Sequence, residues 1–96
     1  MALLDEAEIE RRMGEVTGWA RAGREIRKTY GFRGFRDAVA FVNRVADLAE
    51  ASDHHPDIDI RYDRVTLTLS THSAGGLTAK DFDLAAAIES TVSGQS

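Results

Sequence analysis

The clearest pattern in the chain runs from Phe35 to Ala51. At about 100° per residue, Phe35, Ala38, Val39, Phe41, Val42, Val45, Ala46, Leu48 and Ala49 fall within an arc of roughly 180°, and Arg36, Asp37, Asn43, Arg44, Asp47 and Glu50 fill the rest. The spacing predicts a helix at the centre of the core. So wide an apolar arc also predicts contact beyond one sheet, with a second helix or a second subunit.

Downstream the period changes from helical to two. Ile58-Asp59-Ile60-Arg61-Tyr62 and Val65-Thr66-Leu67-Thr68-Leu69-Ser70-Thr71 alternate on either side of Asp63-Arg64, which predicts a β-hairpin with one apolar face. Thr78-Ala79-Lys80-Asp81 has the form of a capping signal, and it opens a last helix carrying Phe82, Leu84, Ala85, Ile88 and Val92 before a polar tail, Ser93 to Ser96. Asp5-Glu6-Ala7-Glu8 reads the same way, with the Asp5 carboxylate accepting free N–H groups and Glu8 reaching back, for a first helix ending near Met13. Gly14 and Gly18 interrupt it, and Trp19 to Phe32 reads as one or two short strands, with weak alternation over Glu25 to Tyr30. The order is α, strands, α, hairpin, α, with no internal repeat or linker. A single domain over residues 1–96 is expected, of the α+β class, with an antiparallel sheet covered on one face by helices.

Composition narrows the function classes. Ninety-six residues leave room for one hydrophobic core, and 43% hydrophobic with 29% charged residues is an ordinary globular balance. The absence of cysteine excludes a disulfide frame, a thiolate nucleophile and a Cys-ligated zinc site. The start, Met1 to Glu6, has no basic region and turns acidic, which is wrong for a signal peptide, so a cytoplasmic protein is expected. A formal charge of −4 argues against nucleic acid or an anionic membrane as partner. The one basic stretch, Arg21 to Arg36, is interrupted by Glu25 and matches no nucleic-acid-binding motif.

The candidate chemistry lies in the three histidines, His54, His55 and His72, which fall at element boundaries and interrupt no apolar face. Pro56 cannot continue the long helix and pushes His55 toward extended geometry, so His54 and His55 are expected just past the helix C-terminus, pointing apart. That terminus favours an imidazolium, as do Glu50 one turn upstream and Asp53 adjacent, and an imidazolium is what a general acid requires. His72 shares parity with Thr66, Thr68 and Ser70, opposite to Val65, Leu67 and Leu69, and is therefore expected on the uncovered face of the sheet. Three solvated loop histidines remain an equal alternative on these grounds. No metal is expected, since adjacent histidines are awkward joint ligands and nothing has His-Glu-x-x-His spacing.

Asp53-His54-His55-Pro56, Tyr62-Asp63-Arg64-Val65, Leu69-Ser70-Thr71-His72 and Gly76-Leu77-Thr78-Ala79-Lys80-Asp81 together resemble the pterin-4a-carbinolamine dehydratase family, in sequence and in spacing. The resemblance covers nearly the whole chain. It implies a four-stranded antiparallel sheet with three helices on one face, a homodimer or homotetramer, and an active site toward the sheet's other face. The activity it implies is removal of water from a 4a-hydroxytetrahydropterin in tetrahydrobiopterin recycling, with no cofactor and with an aromatic amino-acid hydroxylase as a pathway partner.

By the same resemblance His54 and His72 act as general acid and base, His55 mainly binds substrate, and Glu50 and Asp81 support the cluster. Pro56, Trp19, Asp53, Ser70 and Thr71 join His55 as substrate-binding positions, although plain core packing stays open for Trp19. Ile58 departs from the family, where many relatives carry an aromatic two residues after the proline, and this bears on the pocket rim. The rival reading is a non-catalytic protein-binding or assembly module of the same fold, like the family's dimerisation cofactors; the retained histidines favour an enzyme.

Overall fold

The computed structural model describes residues 2–93, with the backbone alone at Ser93; the remainder of the polar tail lies outside the described residues. The elements run α1 (Glu6–Met13), β1 (Ala20–Ala22), β2 (Glu25–Gly31), α2 (Phe35–Ser52), β3 (Asp57–Arg61), β4 (Arg64–Leu69) and α3 (Ala79–Ser93), with a single 3₁₀ turn, His72–Ala74, before α3. The strands form one sheet in the order β1-β2-β4-β3, each neighbour antiparallel. This is the expected α+β architecture, a four-stranded antiparallel sheet with three helices on one face.

Alternation decides which face is covered. Ile26 and Tyr30 of β2 and Val65, Leu67 and Leu69 of β4 are buried under Phe41 and Val45 of α2 and Phe82, Leu84 and Ile88 of α3, in one connected core. Arg27, Thr29, Thr66, Thr68, Asp59 and Arg61 line the open face. The weak alternation of β2 has a specific cause: Lys28 shares the inward parity of Ile26 and Tyr30, yet carries a charge. Its ammonium donates to Glu89 Oε1 of α3 at 2.5 Å and to the Thr17 carbonyl at 2.7 Å, and sits 4.7 Å from the centre of the Tyr30 ring. Tyr30 donates its hydroxyl to the same Glu89 oxygen. Burial, then the Glu89 contact, pushes the Tyr30 phenol well above its usual range; burial raises Glu89 too, but the Lys28 and Tyr30 hydrogen bonds outweigh it and hold that carboxyl low. Gly18, at φ +81°, makes room for this pair, since a Cβ there would lie 2.8 Å from Lys28 Nζ.

α2 buries Ala38, Phe41, Val45 and Ala49, the i, i+3, i+7, i+11 row that meets β4 and α3. The wider arc is only partly used: Val42 and Leu48 pack at the core's edge, and Phe35 stays 53% exposed. On the edge strand β3, Ile58 and Ile60 are also left exposed.

Three local expectations change. The hairpin turns at Tyr62-Asp63, not Asp63-Arg64, because Arg61 and Arg64 close the ladder and Tyr62 takes the left-handed conformation, φ +52°. β4 ends at Leu69, so Ser70 and Thr71 leave the strand, Thr71 keeping one bridge to Gly76. At α1 the Asp5 carboxylate accepts from the Glu8 amide at 2.9 Å as expected, but Glu8 turns away to Arg11 and Arg12, whose guanidinium groups hold its carboxyl down at about 2.

Candidate active site

The end of α2 sends its two histidines in opposite directions. Asp53 adopts the left-handed conformation, φ 50° and ψ 44°, and the amides of Asp53 and His54 bond back to the carbonyls of Glu50 and Ala49 at 3.3 and 3.1 Å. This is a Schellman closure with aspartate where glycine is usual, and it turns the next residue toward the helix's buried side. His54 is accordingly 9% exposed, beside the buried Ala49. His55, one residue on and held extended by Pro56, is exposed, and its Nε2 lies 2.5 Å from Glu50 Oε2.

His54 points at a carboxylate with no solvent exposure at all. Its Nε2 is 2.6 Å from Asp81 Oδ1 in the first turn of α3. Oδ2 of Asp81 accepts from the Thr78 amide at 2.9 Å and from the Thr71 hydroxyl at 2.9 Å, and Thr71 Oγ1 lies 2.8 Å from Thr78 Oγ1. Thr78 also caps the Lys80 amide at 3.3 Å. Thr78 and Asp81 thus make a capping box whose carboxylate has one oxygen left over, and His54 takes it. A buried carboxylate is costly unless its lone pairs are met, and three donors meet these. With Nε2–H donated to Asp81, His54 Nδ1 is free to accept or give a proton; among the described residues no hydrogen bond engages it.

His72 follows Thr71 directly, in the exposed 3₁₀ turn. Gly75, at φ +78°, closes that turn, and Gly76 is pressed against the N-terminal segment: a Cβ there would lie 3.1 Å from Leu3 Cδ2, while the Leu4 amide bonds to the Leu77 carbonyl. The histidines therefore gather where α2 ends, β4 ends and α3 begins. This is the end of the sheet rather than the middle of its open face, and the anchored member, His54, reaches into the helical layer.

The other sequence-selected residues divide. Glu50 and Asp81 each hold a histidine. Asp53 shapes the helix end and is exposed, Pro56 and Ser70 are half-buried beside the cluster, and the Thr71 hydroxyl is engaged inside the protein. Trp19 is placed in the core, 6% exposed, its indole N–H beside the Tyr30–Glu89 pair without a well-formed hydrogen bond. Thr78 is the residue that sequence reasoning passed over: the capping pattern was legible, its link to a histidine was not. A surface depression of about 520 Å³, lined by Phe32, Arg33, Asp37 and Arg44 among others, lies at the opposite end of α2 and shares no residue with the cluster. Among the described residues no three His, Asp or Glu side chains stand together as metal ligands, and no helix is long and apolar enough to cross a membrane.

Such a cluster can move protons: one buried, oriented imidazole and two exposed ones, two of the three backed by carboxylates. Comparison with known proteins gives this chemistry a context. The family profile described as pterin 4 alpha carbinolamine dehydratase matches residues 2–91. A Roseiflexus castenholzii protein provisionally named pterin-4-alpha-carbinolamine dehydratase is 64% identical over 91 residues, 95% of this chain and 98% of the relative. One from Sulfolobus acidocaldarius, named likewise, is 50% identical over 85% of this chain and 90% of its own. Among solved structures, a transcriptional coactivator/pterin dehydratase from Brucella melitensis superposes with a TM-score of 0.88 at 32% identity, covering 92% of this chain and 96% of that one. A pterin dehydratase-like RuBisCO assembly factor of the alpha-carboxysome shares the fold, with a TM-score of 0.61 at 22% identity over 75% of this chain and 83% of its own. With a profile match across almost its whole length and relatives at half to two-thirds identity, the chain belongs to the pterin-4-alpha-carbinolamine dehydratase family.

Proposed function

We propose that the chain removes water from a 4a-hydroxytetrahydropterin, giving a quinonoid dihydropterin, at the cluster of His54, His55 and His72. The observation that carries this is the buried Asp81 carboxylate, its oxygens met by three donors, which holds His54 by Nε2 and so keeps the imidazole in one orientation, as a carboxylate does for a general-base histidine. The carbon–oxygen bond at carbon 4a breaks as the adjacent nitrogen lone pair forms a carbon–nitrogen double bond. The hydroxyl leaves as water with a proton from one imidazolium, and the nitrogen gives its proton to a second imidazole. His54 and His72 are assigned these transfers and His55, paired with Glu50, the binding of the ring. General acid–base help of this kind is worth about 10²–10⁴-fold. No step calls for a metal or a redox cofactor.

The test is the absorbance change on mixing purified protein with a 4a-hydroxytetrahydropterin in the presence of a chelator. Acceleration over buffer is expected, and none would overturn the reading.

A homodimer or homotetramer belongs to the same proposal, since Phe35, Ile58 and Ile60 leave apolar surface uncovered. That surface also favours the rival reading, a protein-binding module, and the Brucella melitensis relative is described as a coactivator as well as a dehydratase. A module of that kind has no use for an oriented histidine, so loss of chemistry without loss of binding in His54→Ala would separate the two roles.

A further inference from the structure

We infer that Thr71 and Thr78 are positioning residues that set the working nitrogen of His54: they fix the Asp81 carboxylate so that His54 keeps its proton on Nε2 and presents Nδ1 to the substrate. The assignment to substrate rests on the dehydratase reading; the orientation of the ring does not.

The hydrogen-bond directions follow from counting. The Asp81 carboxylate only accepts, so the Thr71 hydroxyl at 2.9 Å from Oδ2 must donate to it. A hydroxyl has one proton, so at the 2.8 Å contact between the two threonines Thr78 donates and Thr71 accepts. Thr78 Oγ1 then still accepts from the Lys80 amide. The chain of donors runs one way, from the Lys80 amide through Thr78 and Thr71 to Oδ2, while the Thr78 amide fills a second place on the same oxygen. Oδ1 is left as the acceptor for His54 Nε2 at 2.6 Å. All members of this chain are buried except Lys80, so water is a poor substitute for a missing donor. A carboxylate short of a donor on Oδ2 can turn and offer either oxygen, and the ring it holds is then free to change tautomer.

The test uses ¹⁵N-labelled protein at mildly alkaline pH, where the two-bond ¹H–¹⁵N correlations of an imidazole report which nitrogen is protonated. In the parent protein His54 is expected as the Nε2–H tautomer. Thr71→Val should give a mixture of tautomers and lower kcat by about 10- to 100-fold, the scale for a misplaced reacting group, with less than a twofold change in KM. Thr71→Ser, which keeps the donor, should restore both. Thr78→Val should act in the same direction and Thr78→Ser should not, which keeps the question open to test if Thr71→Val fails to fold. A parent His54 protonated on Nδ1, or folded Val variants with an unaltered tautomer and kcat, would overturn the inference. A tautomer shift in Thr71→Val of a protein that turned over no pterin would leave the positioning intact and remove only the dehydratase reading.

Discussion

His54 and Asp81 meet at 2.6 Å across 27 residues of sequence, and among the described residues neither has another ionic partner. The carboxylate comes from the first turn of α3 and the imidazole from just past the end of α2. Asp81→Asn keeps the volume but replaces an accepting oxygen with a donor facing either the Thr78 amide or His54. We expect kcat to fall by about 10²-fold or more. Stability should fall by about 1–3 kcal/mol, the cost of a buried polar group left unmatched. Steady-state kinetics with urea unfolding of the same samples checks both.

The three histidines should separate kinetically. His54→Ala and His72→Ala are each expected to lower kcat with modest change in KM, and the double variant to lose far more than either, as each partly covers for the other. His55→Ala should instead raise KM. Initial rates over a range of pterin concentrations decide it, and a His55→Ala variant with the largest loss in kcat would reverse the assignment.

Asp53 holds a left-handed backbone at the Schellman closure, a conformation that costs an ordinary side chain roughly 1–2 kcal/mol. Asp53→Gly should therefore be at least as stable as the parent, whereas Asp53→Ala should lose about 1 kcal/mol. Thermal unfolding of the pair is sufficient, and equal melting temperatures would refute the prediction.

Stability should fall in acid partly through Glu89. Its carboxyl lies below the ordinary range in the folded protein, held down against burial by Lys28 and Tyr30, so its contribution is present above the ordinary glutamate value and is lost as pH drops through the lowered one. Glu89→Gln is expected to destabilise at neutral pH by about 1–2 kcal/mol, the loss of charged hydrogen bonds, and to flatten the dependence on pH below the ordinary glutamate range. Urea unfolding across that range, parent against variant, is the measurement.

Self-association is expected from the apolar surface that α2 and β3 leave open. Sedimentation at micromolar concentration should give a dimer or tetramer, and Phe35→Glu, which places a charge at the most exposed end of the α2 arc, should shift it toward smaller species. A parent protein that sediments only as a monomer would count against this.

Elements with strong periodicity were legible from the sequence nearly residue for residue, because burial on one side imposes the period: α2 extends just one residue past Ala51, and the alternation of Val65, Leu67 and Leu69 names the covered face. What was hidden depends on partners distant in sequence. Lys28 blurs β2 because Glu89 lies 61 positions away, and a local window cannot see it. His54 and His55 look alike as a pair, and their separation into a buried and an exposed ring follows from the left-handed Asp53, which no residue-type preference demands. The Thr78 capping box was visible, whereas the use of its spare oxygen was not, since a cap needs only one. Ser70 and Thr71 continue the strand's alternation but leave the ladder, because the bridge from Thr71 to Gly76 starts the turn that carries His72.

The box at the start of α3 offers a reporter that needs no substrate. The Thr78 amide proton is bound to the same Asp81 oxygen that Thr71 reaches, so it can exchange with deuterium only when that carboxylate lets go. Its exchange rate thus counts how often the support beneath His54 opens, and a ring-shaped ligand that steadies the histidine should slow that one proton before any turnover can be seen.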